Sequence, residues 1–66
     1  MTLKELRAQS GKTCAEVAER LAVTTQAMYR YENGDRRLNI EQVSTLSELY
    51  DVTVEELVRA AILTVQ

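Results

Sequence analysis

The sequence predicts an all-α protein built from five short helices. Four residues that can cap a helix through a side-chain oxygen are each followed three positions later by Glu or Gln, which is the capping-box signature of a helix start. Apolar residues recur at helical spacing, and the 66 residues contain no proline. We therefore predict helices over 2–9, 13–21, 24–33, 39–50 and 53–63.

The first two helix starts carry complete capping signatures. Thr2 has Glu5 at the capping-box position, and Thr13 has Glu16 in the same relation. In such a box the hydroxyl accepts a hydrogen bond from the backbone N–H three residues on, and the acid accepts one from the N–H of the cap. We expect the first two helices to begin at these threonines.

The third helix begins at Thr24, where Ala27 replaces the acid or amide of a capping box. At about 100° per residue, Met28 and Tyr31 point to the core side of this helix. The opposite side contains Thr25, Gln26, Tyr29, Arg30 and Asn33. We call these five residues the outer face of the third helix.

The outer face contains no acid, and each of its side chains can donate a hydrogen bond. Gln and Arg are the side chains that pair with adenine and guanine edges in the major groove of DNA. A helix start without a carboxylate also leaves its N–H groups open to phosphates. An ordinary solvated surface explains the helical pattern equally well, so the pattern alone leaves both interpretations open.

The last two helices begin at Asn39, with Gln42 in the capping-box position, and at Thr53, with Glu56. Between the third and fourth helices stands Gly34. Glycine adopts the left-handed backbone conformation without steric cost, so we expect Gly34 to end the third helix in that conformation.

The apolar residues that share the inner sides of these helices form the predicted core. They are Leu3, Leu6, Val17, Ala18, Leu21, Val23, Met28, Tyr31, Ile40, Val43, Leu46, Leu49, Val52, Val54, Leu57 and Val58. We assign all of them to packing rather than to a binding site.

Length and composition limit the classes of function. A chain of 66 residues holds one domain, which we assign to 1–66. No apolar run approaches the roughly 20 residues that span a bilayer, so we expect a cytoplasmic protein. With no histidine and the single cysteine Cys14, the sequence lacks the residues of histidine-based catalysis and of common transition-metal sites. We therefore expect no enzyme, no cofactor and no small-molecule ligand.

The net charge of −2 is unevenly distributed. The front half, residues 1–37, contains seven of the eight basic residues and has a net charge of +2. The rear half, residues 38–66, has a net charge of −4. An acidic rear half is compatible with a basic face on the front half that binds nucleic acid.

Several short motifs along residues 3–57 stand in a recognisable order. They are Leu6 and Arg7, Thr13, Glu-Val-Ala at 16–18, Leu-Ala-Val-Thr at 21–24, Glu-Asn-Gly at 32–34, Asn39 and Ile40, and Val-Thr-Val-Glu-Glu-Leu at 52–57. Together they resemble the lambda-repressor-like (Cro-type) helix-turn-helix family over almost the whole chain. Each motif is weak alone, whereas their order and spacing are specific.

The resemblance implies that the second helix lies across a DNA backbone while the third helix enters the major groove. The positions that would contact bases are Thr25, Gln26, Tyr29 and Arg30. The positions that would contact phosphates are Lys12, Thr13, Asn33, Arg36 and Arg37. Arg7 and Glu32 are expected to form a structural ion pair instead.

Three positions depart from the family pattern. Cys14 stands where the family commonly has a glutamine that braces a phosphate, and we expect a silent thiol there, with a redox-sensitive thiolate at the helix start as the alternative. Ala22 stands where a glycine commonly ends the second helix, so either Ala22 is strained or the turn is built differently. Asp51 also replaces a common glycine.

The resemblance further implies a transcriptional regulator, a repressor, that binds double-stranded DNA as a homodimer on a two-fold symmetric operator. Ile62 and Leu63 are the expected extension of the dimer interface. The alternative is a protein–protein interaction module on the same fold, of the antitoxin or antirepressor type, in which the third helix contacts another protein.

Overall fold

A computed structural model describes residues 1–65 and contains five α-helices in that range, with no strand. They are α1 (Leu3–Gln9), α2 (Cys14–Arg20), α3 (Thr25–Asn33), α4 (Ile40–Leu49) and α5 (Val54–Thr64). The all-α, five-helix prediction is confirmed, and every predicted helix end lies within one residue of the observed one. No helix in this range combines the length and apolarity that crossing a membrane requires.

The capping chemistry explains why the helix starts were predicted closely. Thr2, Thr13 and Asn39 form reciprocal capping boxes with their partners three residues on. Thr24 caps α3 alone, through a 3.1 Å hydrogen bond from the N–H of Ala27. At Thr53 the predicted box is half formed, because the hydroxyl accepts the N–H of Glu56 while the exposed Glu56 carboxylate stays in water.

The core is built from the inner sides of all five helices. Its buried members are Leu3, Leu6, Cys14, Val17, Ala18, Met28, Tyr31, Leu46, Tyr50, Leu57 and Ala60. Eight of them were predicted; Leu21, Val23, Val43, Leu49 and Val52, also predicted, pack against this core in partly buried positions. Cys14, Tyr50 and Ala60 were missed because they are small, or polar at one end.

Three predicted core residues lie on the surface instead: Ile40 is 87% exposed, Val54 51% and Val58 40%. Ile40 and Val54 are each the first residue of a helix. At a helix start the apolar residues on either side of that position turn toward the core as a staple, which leaves the first helical residue pointing outward. Val58 follows Val54 one turn later on the same outward side of α5.

The packing of the helices sets α2 and α3 together on one side of the molecule. α2 packs on α3, α4 packs on α5, and α1 contacts both α3 and α5. The N–H of Leu3 donates to the hydroxyl of Thr64 at 3.0 Å, which joins the first helix to the last. The domain measures 24 × 23 × 21 Å, so every helix has one side in the core and another in solvent.

Two left-handed residues show how differently the helix ends are built. Gly34 ends α3 at φ 82°, and a Cβ at this position would lie 2.6 Å from the carbonyl oxygen of Thr64. Gly34 is therefore needed both for its conformation and for the close approach of α5. Ala22 follows α2 at φ 57°, so of the two possibilities for this turn the strained one is observed, at a cost of about 1–2 kcal/mol.

Candidate nucleic-acid interface

The turn between α2 and α3 sets the direction of α3 relative to α2. Leu21 caps α2, and the left-handed Ala22 then reverses the chain, so that the N–H of Val23 returns to the carbonyl of Ala18 at 3.0 Å. After this turn Thr24 starts α3. Two helices joined by a short turn in this way form a helix-turn-helix unit.

The structure leaves the whole outer face of α3 in solvent. Thr25, Gln26, Tyr29, Arg30 and Asn33 are all exposed. On the opposite side of the helix Met28 and Tyr31 are buried, as the helical wheel predicts. The outer face is thus free to contact a second molecule along the full length of α3.

The one acid of α3, Glu32, is withdrawn from this face. It is nearly buried and is bound by Arg7 at two points, with Nε to Oε2 at 2.6 Å and a terminal nitrogen to Oε1 at 3.2 Å. The hydrogen bond to Glu32 raises the pKa of the Arg7 guanidinium, which keeps its positive charge. Arg7 also donates to the carbonyl of Lys12 at 3.1 Å. One arginine therefore fixes α3 against α1 and removes the only negative charge that α3 could present.

The start of α2 is less open to a phosphate than the resemblance implies. Both the backbone N–H and the hydroxyl of Thr13 donate to Oε1 of Glu16, at 3.2 and 3.0 Å. These hydrogen bonds lower the pKa of the exposed Glu16 carboxylate, which is therefore charged at neutral pH. A phosphate at Thr13 would have to displace that carboxylate. The start of α3 has no such competitor.

Basic side chains flank α3 at its end. Arg36 and Arg37 are exposed in the loop between α3 and α4, and the guanidinium carbon of Arg36 lies 5.7 Å from the centre of the Tyr31 ring. Lys12, just before α2, is half-buried. The structure thus places the predicted phosphate-binding residues at the two ends of the helix-turn-helix unit.

Sequence reasoning did not predict the burial of two side chains, Cys14 and Tyr50. Cys14 is buried with its sulfur 4.0 Å from the carbonyl oxygen of Thr25, and burial raises the pKa of its thiol. A raised pKa favours the neutral thiol, so the geometry favours the silent cysteine over the thiolate. The Tyr50 hydroxyl is buried without a hydrogen-bond partner in the described chain, and burial raises its pKa well above the ordinary value. No pattern in the sequence indicated either environment.

A second exposed surface lies on α5 and is apolar. We call Val54, Val58, Ile62 and Val65 the α5 stripe, since they repeat at helical spacing and are 40 to 52% exposed. Leu63 is exposed on the opposite side of the helix. The stripe borders a cleft of about 430 Å³ between α5 and the loop before α4. A row of exposed apolar side chains on one helix is a candidate surface for a protein–protein contact.

Comparison with known proteins gives two findings. The family model described as "Helix-turn-helix domain" matches residues 1–60. Curated proteins from Pyrococcus furiosus and Pyrococcus abyssi are each 37% identical to the chain over 49 residues, which is 74% of the chain and 16% of the relative. Both are provisionally named HTH-type transcriptional regulatory proteins. The chain spans about a sixth of the length of these relatives, and no solved structure matches it.

Proposed function

The chain belongs to the helix-turn-helix domain family, and on that premise we propose that it is a DNA-binding transcriptional regulator that reads a specific duplex sequence with α3. The names of the two relatives from Pyrococcus support the regulatory role. We propose repression as the direction of regulation, because a domain seated on an operator can exclude other proteins from it. The proposal includes no catalytic role. It places the chain in the cytoplasm with the DNA.

One observation carries the proposal: the outer face of α3 is exposed over its whole length and carries no negative charge. A carboxylate facing a DNA groove would be repelled by the phosphates on both of its sides. The burial of Glu32 against Arg7 removes that repulsion. The major groove, about 12 Å wide, admits a single α-helix with its side chains.

Four residues of the outer face are proposed to contact bases. Gln26 and Arg30 lie one helical turn apart, and both are exposed, so they can reach neighbouring base pairs on one side of the helix. Gln pairs with adenine and Arg with guanine through two hydrogen bonds each. Thr25 and Tyr29 flank them and complete the contact surface with hydroxyl groups.

Phosphate contacts are proposed for Lys12, Asn33, Arg36 and Arg37, which lie at the two ends of the helix-turn-helix unit. Such contacts hold the protein on the duplex without reading its sequence. Thr13 remains in this set on the condition that the Glu16 carboxylate turns away, since in the free protein it occupies the hydrogen-bonding groups of Thr13.

We further propose that two copies associate through the α5 stripe and together bind a two-fold symmetric operator. Of the two residues expected at the dimer contact, Ile62 belongs to the stripe and Leu63 lies outside it. Exposed apolar side chains cost free energy in water, at about 25 cal/mol for each Å² that could be buried. Covering the stripe of one copy with that of another would recover this free energy. Two-fold dimers of this kind place their reading helices about 34 Å apart, one turn of the duplex.

Selection of bound sequences from random duplex DNA tests the proposal directly. The parent should enrich one sequence. Arg30→Ala should relax the preference at one base position, at a cost of about 1–3 kcal/mol. Lys12→Ala, the matched control, should keep the sequence preference and weaken binding to all duplexes alike. The plot of log affinity against log salt should become less steep by about 0.9.

The alternative, a protein–protein interaction module, makes the opposite prediction. A protein partner would release no condensed counterions, so its affinity would lack the steep dependence on salt. If the parent enriches no sequence and binds every duplex weakly, and both variants behave like it, DNA reading by α3 is wrong.

A further inference from the structure

Tyr31 is buried beneath the end of α3, yet it contacts two groups outside its own helix. It is 4% exposed. Its hydroxyl accepts a hydrogen bond of 3.0 Å from Nε2 of Gln42, on α4. The guanidinium of Arg36, in the loop between the two helices, lies over its ring at 5.7 Å from the centroid. One side chain therefore links α3, the loop and α4.

Gln42 forms hydrogen bonds through both polar atoms of its side-chain amide and through its backbone N–H. Its backbone N–H donates to Oδ1 of Asn39 at 2.8 Å, and its Oε1 accepts the backbone N–H of Asn39 at 2.9 Å, which is the capping box of α4. With the amide oxygen engaged by the cap, the amide nitrogen is directed at the Tyr31 hydroxyl. The orientation of the ring is thus determined by the start of α4 as well as by the core.

The ring gives Arg36 a preferred position before any DNA is present. A guanidinium within about 6 Å of an aromatic centroid is attracted by the negative face of the ring. An arginine that is already ordered loses less conformational entropy when it binds a phosphate. Arg37 is equally exposed, but within the described residues Arg36 is the arginine that lies over a ring.

We propose that Tyr31 is a positioning residue that orders Arg36, so that Arg36 rather than Arg37 is the preorganised phosphate contact at the end of α3. This inference rests on the proposed DNA binding. It assigns unequal roles to two adjacent arginines that the sequence treats alike. It also gives Tyr31 a role in binding in addition to its place in the core.

A double-mutant cycle on a short mixed-sequence duplex measures this coupling. Arg36→Ala should weaken binding and lower the salt slope by about 0.9 in the parent. With Tyr31→Leu already present, the loss on Arg36→Ala should be about two- to five-fold smaller, the range expected for an exposed cation–π contact. Tyr31→Phe keeps the ring and should restore the full loss. Arg37→Ala, the matched control, should weaken binding to the duplex equally in the parent and in the Tyr31→Leu variant.

Equal losses for Arg36→Ala in the Tyr31 and Tyr31→Leu backgrounds would overturn the proposal. A measurement on the free parent protein covers the case in which Tyr31→Leu does not fold. The ring current of Tyr31 should shift the side-chain proton resonances of Arg36 upfield in the NMR spectrum, whereas those of Arg37 should stay at unperturbed values. The same unperturbed values for both arginines would also overturn it. If the parent binds no duplex but the shift is present, the proposed function fails and the Tyr31–Arg36 contact stands.

Discussion

The front and rear halves of the molecule both expose one side of a helix, but the two sides differ in chemistry. The outer face of α3 is polar and free of acids, whereas the α5 stripe is apolar. A polar side is satisfied by water and does not by itself require a partner. Apolar side chains gain free energy when a partner covers them, so an apolar side favours association. We therefore infer the function of α3 from the absence of acids on its outer face, and that of α5 from the apolar side chains that its stripe exposes.

The two halves also differ in how they use charge. The front half buries one ion pair, Arg7 with Glu32, whose side chains are 15% and 3% exposed. The rear half has one on its surface, Arg59 with Glu55, where each side chain is 74% exposed. Desolvation makes the first pair expensive to break and leaves the second nearly without effect on stability. Position in the fold, rather than the type of residue, determines the value of each pair.

Breaking the buried pair should produce the largest effect. We expect Arg7→Leu to lower the free energy of unfolding by about 3–5 kcal/mol, because it leaves the Glu32 carboxylate buried without a partner. Arg59→Leu, the matched control in the rear half, should change it by less than about 0.5 kcal/mol. Denaturant unfolding followed by circular dichroism measures both. The double variant Arg7→Leu with Glu32→Met should recover most of the loss, and a double variant as unstable as the single one would contradict this account.

The apolar side of the comparison is tested by changing the α5 stripe. Ile62→Ser should weaken self-association by roughly 1–3 kcal/mol per dimer, since each copy loses apolar surface that the other would cover. Sedimentation equilibrium gives the association constant directly. Ile40→Ser, at an exposed isoleucine outside α5, is the control and should leave it unchanged. An unchanged constant for Ile62→Ser would show that the stripe is not the contact between copies.

How far each half could be predicted from the sequence depends on the range of the interactions. Helix starts were predicted to within one residue because a capping side chain and the backbone N–H that it binds lie three positions apart. The outward direction of Ile40 and Val54 was missed because it depends on neighbours that turn inward at the same helix start. The hydrogen bond between Gln42 and Tyr31 joins separate helices, and no local pattern announces it.

In the candidate site, too, local features could be predicted from local sequence patterns and long-range contacts could not. The exposure of the outer face of α3 followed from the helical wheel, which is local. The ion pair of Arg7 with Glu32, 25 residues apart, was expected only through the family resemblance. The competition of Glu16 for the hydrogen-bonding groups of Thr13 was overlooked, although both belong to a capping box that the sequence predicted. A box that closes a helix start also occupies groups that a phosphate would need.

The two left-handed residues Ala22 and Asp51 allow a further comparison of the halves, in which the expected change in stability is smaller. Ala22 in the front half and Asp51 in the rear half stand at φ 57° and 55°. Asp tolerates this conformation better than Ala because its short polar side chain can hydrogen-bond locally. Ala22→Gly should therefore stabilise the domain by about 0.5–1 kcal/mol, and Asp51→Gly by less. Thermal unfolding measures the difference, and a lower melting temperature for Ala22→Gly would show that the Ala22 methyl group makes a contact worth more than the strain.

The smallest expected effect is that of low pH, which should loosen helix starts in the front half before the start of α4 in the rear half. Hydrogen bonds from Thr2 and Thr13 lower the pKa of Glu5 and Glu16 from the ordinary 4.5, whereas the box of α4 uses Gln42, which does not titrate. A carboxyl group whose pKa is lower in the folded state stabilises that state above its unfolded pKa, and the contribution disappears as the pH falls through the folded value. Below pH 4.5 the starts of α1 and α2 should therefore loosen before that of α4. An NMR titration of backbone amides measures this order, and loss of the Asn39–Gln42 box at the same pH as the other two would show that the acid transition is global rather than local to the caps.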